Sequence, residues 1–309
     1  MLSNRTKLIA VGGPTCTGKS ALAIEIARRF GGEIINGDSM QVYRYFDIGT
    51  AKPSPAALED IPHHLVGVVN PDDEFNASLF KDLADRAIAD IAARGKVPII
   101  VGGTGLYLRV LFYGLFPAYK DEALRERLNG EYARDPASFY ERLKAVDPVY
   151  ALRISYRDRI RMVRAMEIYL LGGKRVSDLE REHGFRQARY DVCKIGLTGN
   201  RKDLYRRIDE RVLTMLEDGL VEEVRSIIDM GYDTDLKPFS GIGYREVLHY
   251  LSGSISYEDM VKDIQKKTRN YAKRQFTWFA KEKDMHWFVY PEELDRIMET
   301  LSGFVDIWN

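Results

Sequence analysis

The residues with the most evident chemistry stand near the start of the chain, in the run Gly13-Pro14-Thr15-Cys16-Thr17-Gly18-Lys19-Ser20. Their spacing is G-x-x-x-x-G-K-S, the pattern of a phosphate-binding loop. The glycines let the backbone wrap an anion, so that successive N–H groups face one concavity. A helix opening at the last residues adds the positive end of its dipole. Lys19 can reach terminal phosphates, and the Ser20 hydroxyl can ligate Mg2+. Gly13 to Ser20 therefore form a diphosphate- or nucleotide-binding loop, and the pattern alone does not choose between the two ligands.

Other candidate groups lie further along. Asp38 follows a short apolar run and is either a metal ligand or general base near the loop, or the cap of a turn with Ser39. Gly102-Gly103-Thr104-Gly105 ends another apolar run. An NTPase usually places a metal-organising acid there, and its absence argues against ordinary ATP hydrolysis. Arg207 and Arg211 are four apart on one helix face, which suits a pyrophosphate, although spacing alone favours a solvated face of Asp/Arg pairs. His63-His64 lacks a companion Cys or acid at ligand spacing and reads as a surface turn.

These groups need a scaffold. Leu8 to Val11, Glu33 to Asn36 and Val97 to Val101 read as buried strands, and Ala21 to Arg29 and Ala77 to Arg94 as amphipathic helices. Strand, helix, strand, helix, strand implies a parallel α/β sheet with helices on both faces, its ligands at the carboxyl ends of the strands. From Asp121 to about Arg189 the pattern is helical and rich in Arg and Glu, and a strand returns at Val192 to Leu197. The predicted organisation is a P-loop core over 1–115 and 191–309, interrupted by an all-helical insertion over 116–190. The second part of the core reads as mainly helical.

The chain has 309 residues and zero formal net charge, so no global field draws nucleic acid. Its basic residues are clustered nonetheless. Five arginines and one acid lie between Arg153 and Arg164, and eight basic residues and two acids between Lys262 and Lys283. If the first cluster is helical, Arg153, Arg157, Arg161 and Arg164 fall in one row. The second interleaves charge with Tyr271, Phe276, Trp278 and Phe279, which suits either RNA stacking or ordinary packing. Two cysteines cannot build a disulfide framework or a Cys-rich zinc site. No apolar run reaches the length of a membrane span and no leader is evident, so a cytoplasmic protein is expected.

Taken together, these stretches resemble the tRNA dimethylallyltransferase (tRNA isopentenyltransferase) family over nearly the whole chain. Beyond the phosphate loop the resemblance lies in Gly37 to Tyr43, Asp47 to Pro53, Pro62 to Leu65, Gly102 to Tyr107, Gly241 to Glu246 and Tyr271 to Phe279. It implies a P-loop core related to nucleotide kinases and an insertion that grips the anticodon stem-loop of tRNA. The implied reaction moves a dimethylallyl group from dimethylallyl diphosphate to the exocyclic amine of the adenosine 3′ of the anticodon, with Mg2+. Asp38 would be the general base, Arg211 a diphosphate clamp and Thr104 part of the catalytic group. Asp38, Ser39, Met40, Gln41, Thr104, Arg125, Ile160, Arg161, Met162, Val163, Arg164, Ser240, Gly241, Ile242, Gly243, Tyr244 and Arg245 fall where the family meets tRNA. The absence of a Cys-rich zinc finger matches the bacterial type, and a monomer is expected. A P-loop small-molecule kinase, an adenylate dimethylallyltransferase acting on free nucleotides and a non-catalytic RNA-binding module are the alternatives. The insertion departs from many relatives at Arg157-Asp158-Arg159-Ile160-Arg161, and Cys16 stands where Ala or Ser is commoner.

Overall fold

The apolar run Lys7–Gly12 forms β1, which lies inside the sheet with neighbours on both sides. In this computed structural model, residues 5–116 and 119–305 are described. The chain continues through α1 (Lys19–Phe30), β2 (Gly32–Asn36), α2 (Pro55–Asp60), β3 (His63–His64), α3 (Ala77–Ala93), β4 (Val97–Gly102) and α4 (Gly105–Tyr113). Five helices follow: α5 (Glu122–Arg134), α6 (Pro136–Val146), α7 (Pro148–Ala151), α8 (Arg159–Gly172) and α9 (Val176–His183). Then come β5 (Asp191–Thr198), α10 (Arg201–Glu217), α11 (Leu220–Asp229), α12 (Tyr244–Leu251), α13 (Tyr257–Phe279), β6 (Met285–Val289) and α14 (Leu294–Val305). No described helix is long and apolar enough to cross a membrane.

The six strands run parallel in the order β3-β2-β4-β1-β5-β6. Parallel neighbours need crossovers, and helices supply them. Alternation along β1 sends Ile9 and Val11 into one cluster with Leu22 and Ile26 of α1 and Ile297 and Leu301 of α14. Leu8 and Ala10 point the other way and are equally buried. With both faces covered, the strands read as continuous apolar runs. The predicted parallel α/β sheet is thus the observed one. It has three features the sequence reading lacked: the two-residue β3, and β6 followed by α14 in a stretch read as mainly helical.

Register decides what gathers at the site. Gly12 of β1 pairs with Gly102 of β4 and Gly196 of β5, and Asn36 of β2 pairs with Val101. The phosphate loop, Asp38 and the Gly102–Gly105 turn therefore leave the sheet along one edge, at the carboxyl ends of its strands.

Tyr113–Ala188 forms a separate compact unit, while the residues before and after it form the other. The helical unit has its own core, including Leu128, Phe139, Leu143, Met162, Val163 and Met166. Asp121, Asp135, Asp147 and Asp158 each cap a helix start with a side-chain oxygen. Glu167 is fully buried and accepts from Arg125 at 2.9 Å, Arg164 at 2.6 Å and the Asp121 N–H at 3.0 Å. Burial raises its proton affinity. The three donors outweigh burial and hold the carboxyl below its ordinary value.

Candidate active site

Between β1 and α1 the chain folds back over the helix start. Gly18 is the helix N-cap with φ 89°, a left-handed conformation that glycine adopts without strain. Cys16 shares that region at φ 62°. The Thr17 hydroxyl donates to the Pro14 carbonyl at 2.8 Å, and the Lys19 ammonium to the same oxygen at 2.5 Å. The buried side chain of Gln275 braces the loop from α13. It accepts from the Thr15 N–H at 2.9 Å and donates to the Gly103 carbonyl at 3.0 Å. A Cβ on Gly103 would lie 2.2 Å from the Gln275 amide nitrogen, which is why glycine stands there.

Asp38 serves as both turn and site. Its N–H donates to the Asn36 side chain at 2.9 Å, and its Oδ1 accepts the Met40 N–H at 2.8 Å. The carboxylate still lines the cleft. Burial pushes its proton affinity up, against the Met40 and Gln41 N–H groups and the charges of Lys19 and Arg211. Tyr271 of α13 faces it and also reaches Thr104 and Gln275. Burial and the Asp38 charge push its phenol up.

Two cavities meet here. The first, about 470 Å3, is lined by Thr15, Cys16, Lys19 and Ser20 of the loop together with Arg207 and Arg211. The second, about 320 Å3, is lined by Ser39 and Met40 on one side, Ser240 to Tyr244 on another, and apolar Ile208, Val212, Met215 and Ile264. Thr15, Asp38, Thr50, Arg211 and Tyr271 belong to both linings. Arg211 donates to the Thr15 hydroxyl at 3.3 Å and lies 3.6 Å from the Cys16 sulfur. Nearby arginines are neutralised: Arg206 by Glu210 at 3.1 Å and Arg269 by Asp209. Among the described residues neither Arg207 nor Arg211 has a carboxylate in salt-bridge range. One lysine and two uncompensated guanidinium groups at a phosphate loop form a polyanion site. A cavity opening onto it beside a buried carboxylate can present a second molecule to that carboxylate.

Burial brings the Lys19 ammonium down to about 8, with Arg211 pushing the same way and Cys16 and Asp38 opposing. Anion binding needs the charged form. Affinity for inorganic diphosphate, read by titration calorimetry, is therefore expected to be steady below about pH 8 and to weaken above it. Lys19→Arg should abolish that limb, because its guanidinium does not titrate there.

The remaining predicted residues fall unevenly. Gly13 to Ser20, Asp38 and Arg211 come together as described, with Pro14 and Thr17 shaping the loop from behind. Gln41 lines the first cavity and donates to the Thr50 and Ala51 carbonyls. Thr104 is half-buried beside the cleft: its hydroxyl accepts the Ser39 N–H at 3.1 Å and is within reach of Tyr271, which lines both cavities. Tyr244 lines the second cavity but is buried against Phe46, whereas Arg245 points to solvent. Arg207, whose spacing favoured a solvated face, is at the first cavity. His63 and His64 correct the surface-turn reading, because they form β3. His64 lies 2.7 Å from Glu33, whose carboxyl Arg94 and His64 hold down to about 2, and His63 lines the first cavity. Sequence reasoning missed Gln275 as a site residue and left Tyr271 between RNA stacking and packing, without placing it at Asp38. Their signal was an i, i+4 pair on one face of a charged helix.

The insertion requires a larger correction. Met162 and Val163 are buried in its core, so their side chains have no free surface. Arg125 and Arg164 are committed to Glu167. The arginine row does not form, because α8 starts only at Arg159, behind the Asp158 cap. Arg153 pairs with Glu180 at 2.6 Å and Arg161 with Asp158 at 2.5 Å. Ile160 remains 77% exposed. In α13, Phe279 is buried and Trp278 packs beneath Arg109, so packing accounts for these aromatics.

The chain matches the family model described as IPP transferase over residues 41–282, and that described as isopentenyl transferase over 6–66. The tRNA dimethylallyltransferase of Geobacter metallireducens is 47% identical over 302 residues, covering 97% of this chain and 98% of that one. That of Geobacter sulfurreducens is 47% identical over 304 residues, covering 97% of each. The solved tRNA isopentenylpyrophosphate transferase of Bacillus halodurans superposes with a TM-score of 0.72 at 35% identity, covering 98% of this chain and 97% of that one. A eukaryotic dimethylallyltransferase solved acting on tRNA gives 0.82 at 30% identity, covering 98% of this chain and 80% of that one. The fold, the polyanion loop and the likeness along nearly the whole chain agree, and the chain belongs to the tRNA dimethylallyltransferase family.

Proposed function

We propose that this protein transfers a dimethylallyl group from dimethylallyl diphosphate to the exocyclic amine of the adenosine 3′ of the anticodon in tRNA. The observation that carries this is the wall common to the two cavities. The first cavity takes the donor diphosphate on the loop N–H groups, Lys19, Arg207 and Arg211. The second admits the acceptor base between Met40 and the Ser240–Tyr244 segment. Asp38 stands where the two substrates meet. The amine nitrogen forms a bond to the terminal allylic carbon, the C–O bond to diphosphate breaks, and the amine proton passes to Asp38. Lys19 and Arg211 stabilise the negative charge that the leaving diphosphate gathers, which is where preorganised charge acts most strongly. No water needs activation, in keeping with the missing acid after β4.

Among the described residues no cluster of three or more His, Cys, Asp or Glu could hold a metal. Mg2+ is commonly held by few protein oxygens and the substrate's own phosphates. Ser20, exposed at the first cavity, is the protein ligand expected to share it. Bound there, Mg2+ would neutralise charge on the departing diphosphate. The active species is proposed to be the monomer.

The test is incubation with labelled dimethylallyl diphosphate and unmodified tRNA, with AMP in a parallel reaction. Label is expected in tRNA and not in AMP. Steady ATP hydrolysis or phosphate transfer with the dimethylallyl donor ignored would sink the proposal.

A further inference from the structure

One carboxylate outside both cavities holds an unusual number of donors. Glu223 lies in the first turn of α11. Its Oε2 accepts the N–H of Asp47 at 3.0 Å and of Ile48 at 2.7 Å. Its Oε1 accepts the N–H of Gly49 at 3.3 Å and the hydroxyl of Tyr244 at 2.7 Å. Three successive backbone N–H groups form a nest for an anion, and here the anion is a side chain of the protein itself. The Tyr244 ring closes the arrangement, since a Cβ on Gly49 would lie 2.6 Å from it. Burial, together with the Glu223 charge, pushes the Tyr244 phenol well up, so it stays a donor.

The groups held are two walls of one space. Gly49 and Thr50 line the second cavity from one side, and Gly243 and Tyr244 from another. Thr50 also lines the first cavity, and Gln41 grips its carbonyl from behind at 3.0 Å. Glu223 itself lines neither. We infer that Glu223 is a positioning residue for the acceptor. It fixes the separation of the Asp47–Thr50 loop and the start of α12, and thereby the orientation of the base toward Asp38. The inference rests on the acceptor entering the second cavity. Among the described residues Glu223 has no hydrogen bond to the phosphate loop, and of the Asp47–Thr50 loop only Thr50 also lines the first cavity, so loss of Glu223 should fall mainly on the acceptor.

The test uses the full chain with Glu223→Ala, Glu223→Gln and Tyr244→Phe. Steady-state kinetics are measured in each substrate, with thermal unfolding as the control on folding. For Glu223→Ala, kcat/KM for tRNA is expected to fall on the order of 10²-fold, the scale of an ångström-level misplacement. KM for dimethylallyl diphosphate should change by no more than about twofold. Glu223→Gln should recover part of the loss, because its amide oxygen still accepts N–H groups. Tyr244→Phe should move the same parameter the same way by less. Unchanged kcat/KM for tRNA, or a rise in KM for dimethylallyl diphosphate as large as the loss toward tRNA, overturns the inference. If Glu223→Ala does not fold, the other two variants decide, since each removes only part of the latch. Failure of the unmodified protein to prenylate tRNA instead removes the functional reading beneath it.

Discussion

Asp38→Asn is expected to lower turnover by ~10²–10⁴ while tRNA binding stays nearly unchanged. The substitution keeps an oxygen for the Met40 N–H, which the carboxylate holds at 2.8 Å, so the turn after β2 should survive. It removes the basicity. Burial makes Asp38 a stronger base than an exposed carboxylate, and Lys19 and Arg211 limit that gain. Transfer by the unmodified protein is therefore expected to rise with pH through an acid limb lying above the ordinary carboxylate range. The check is single-turnover transfer with saturating donor, alongside tRNA binding by filter retention. Near-normal turnover in the variant would remove Asp38 from the base role.

Glu167→Ala is expected to destabilise the helical unit by about 3 kcal/mol, the lower end for breaking a buried ion pair. The lower end applies because the side chains of Arg125 and Arg164 are 32% and 34% exposed and can turn to water. The loss also deprives the Asp121 N–H of its acceptor. Hydrogen exchange in α5 and α8 should accelerate, with the sheet amides of β1 and β4 unaffected. The pH sign follows from the depressed carboxyl of Glu167. Its contribution is present above its unfolded value and is lost as pH falls through the lower folded one. Unchanged exchange in α5 would show that the arginines do not depend on Glu167.

That pair also marks where sequence reasoning reached its limit. Counting five arginines between Arg153 and Arg164 gave a basic surface, because charge is countable and pairing is not. Partners from Glu180, Asp158 and Glu167 consume Arg153, Arg161 and Arg164, and two of these acids lie outside the counted window. A cap at Asp158, rather than periodicity, set the helix start and broke the row. By contrast β1, α1, α3 and β4 were legible because each carries its own period and its own breaker. The strand β6 was not. Met285–Val289 is short, and His286 and Trp287 are exposed at the sheet edge, so no alternation or long apolar run announces it. The sheet order was out of reach for a related reason, since pairing β5 beside β1 spans the whole insertion. In the site, Lys19 and Asp38 were visible from motif and position. Gln275 was not, because a neutral amide in a basic helix looks inert until the Thr15 N–H and the Gly103 carbonyl are seen on either side of it.

In the proposed reaction the two cavities bring a dimethylallyl donor and a tRNA adenosine together at Asp38. The most direct measurement is nucleoside analysis of tRNA digested after reaction with labelled dimethylallyl diphosphate, beside the Asp38→Asn protein. Label is expected on the exocyclic amine of a single adenosine, 3′ of the anticodon, and almost none with the variant. Label spread over several nucleosides, or equal label with both proteins, would contradict it.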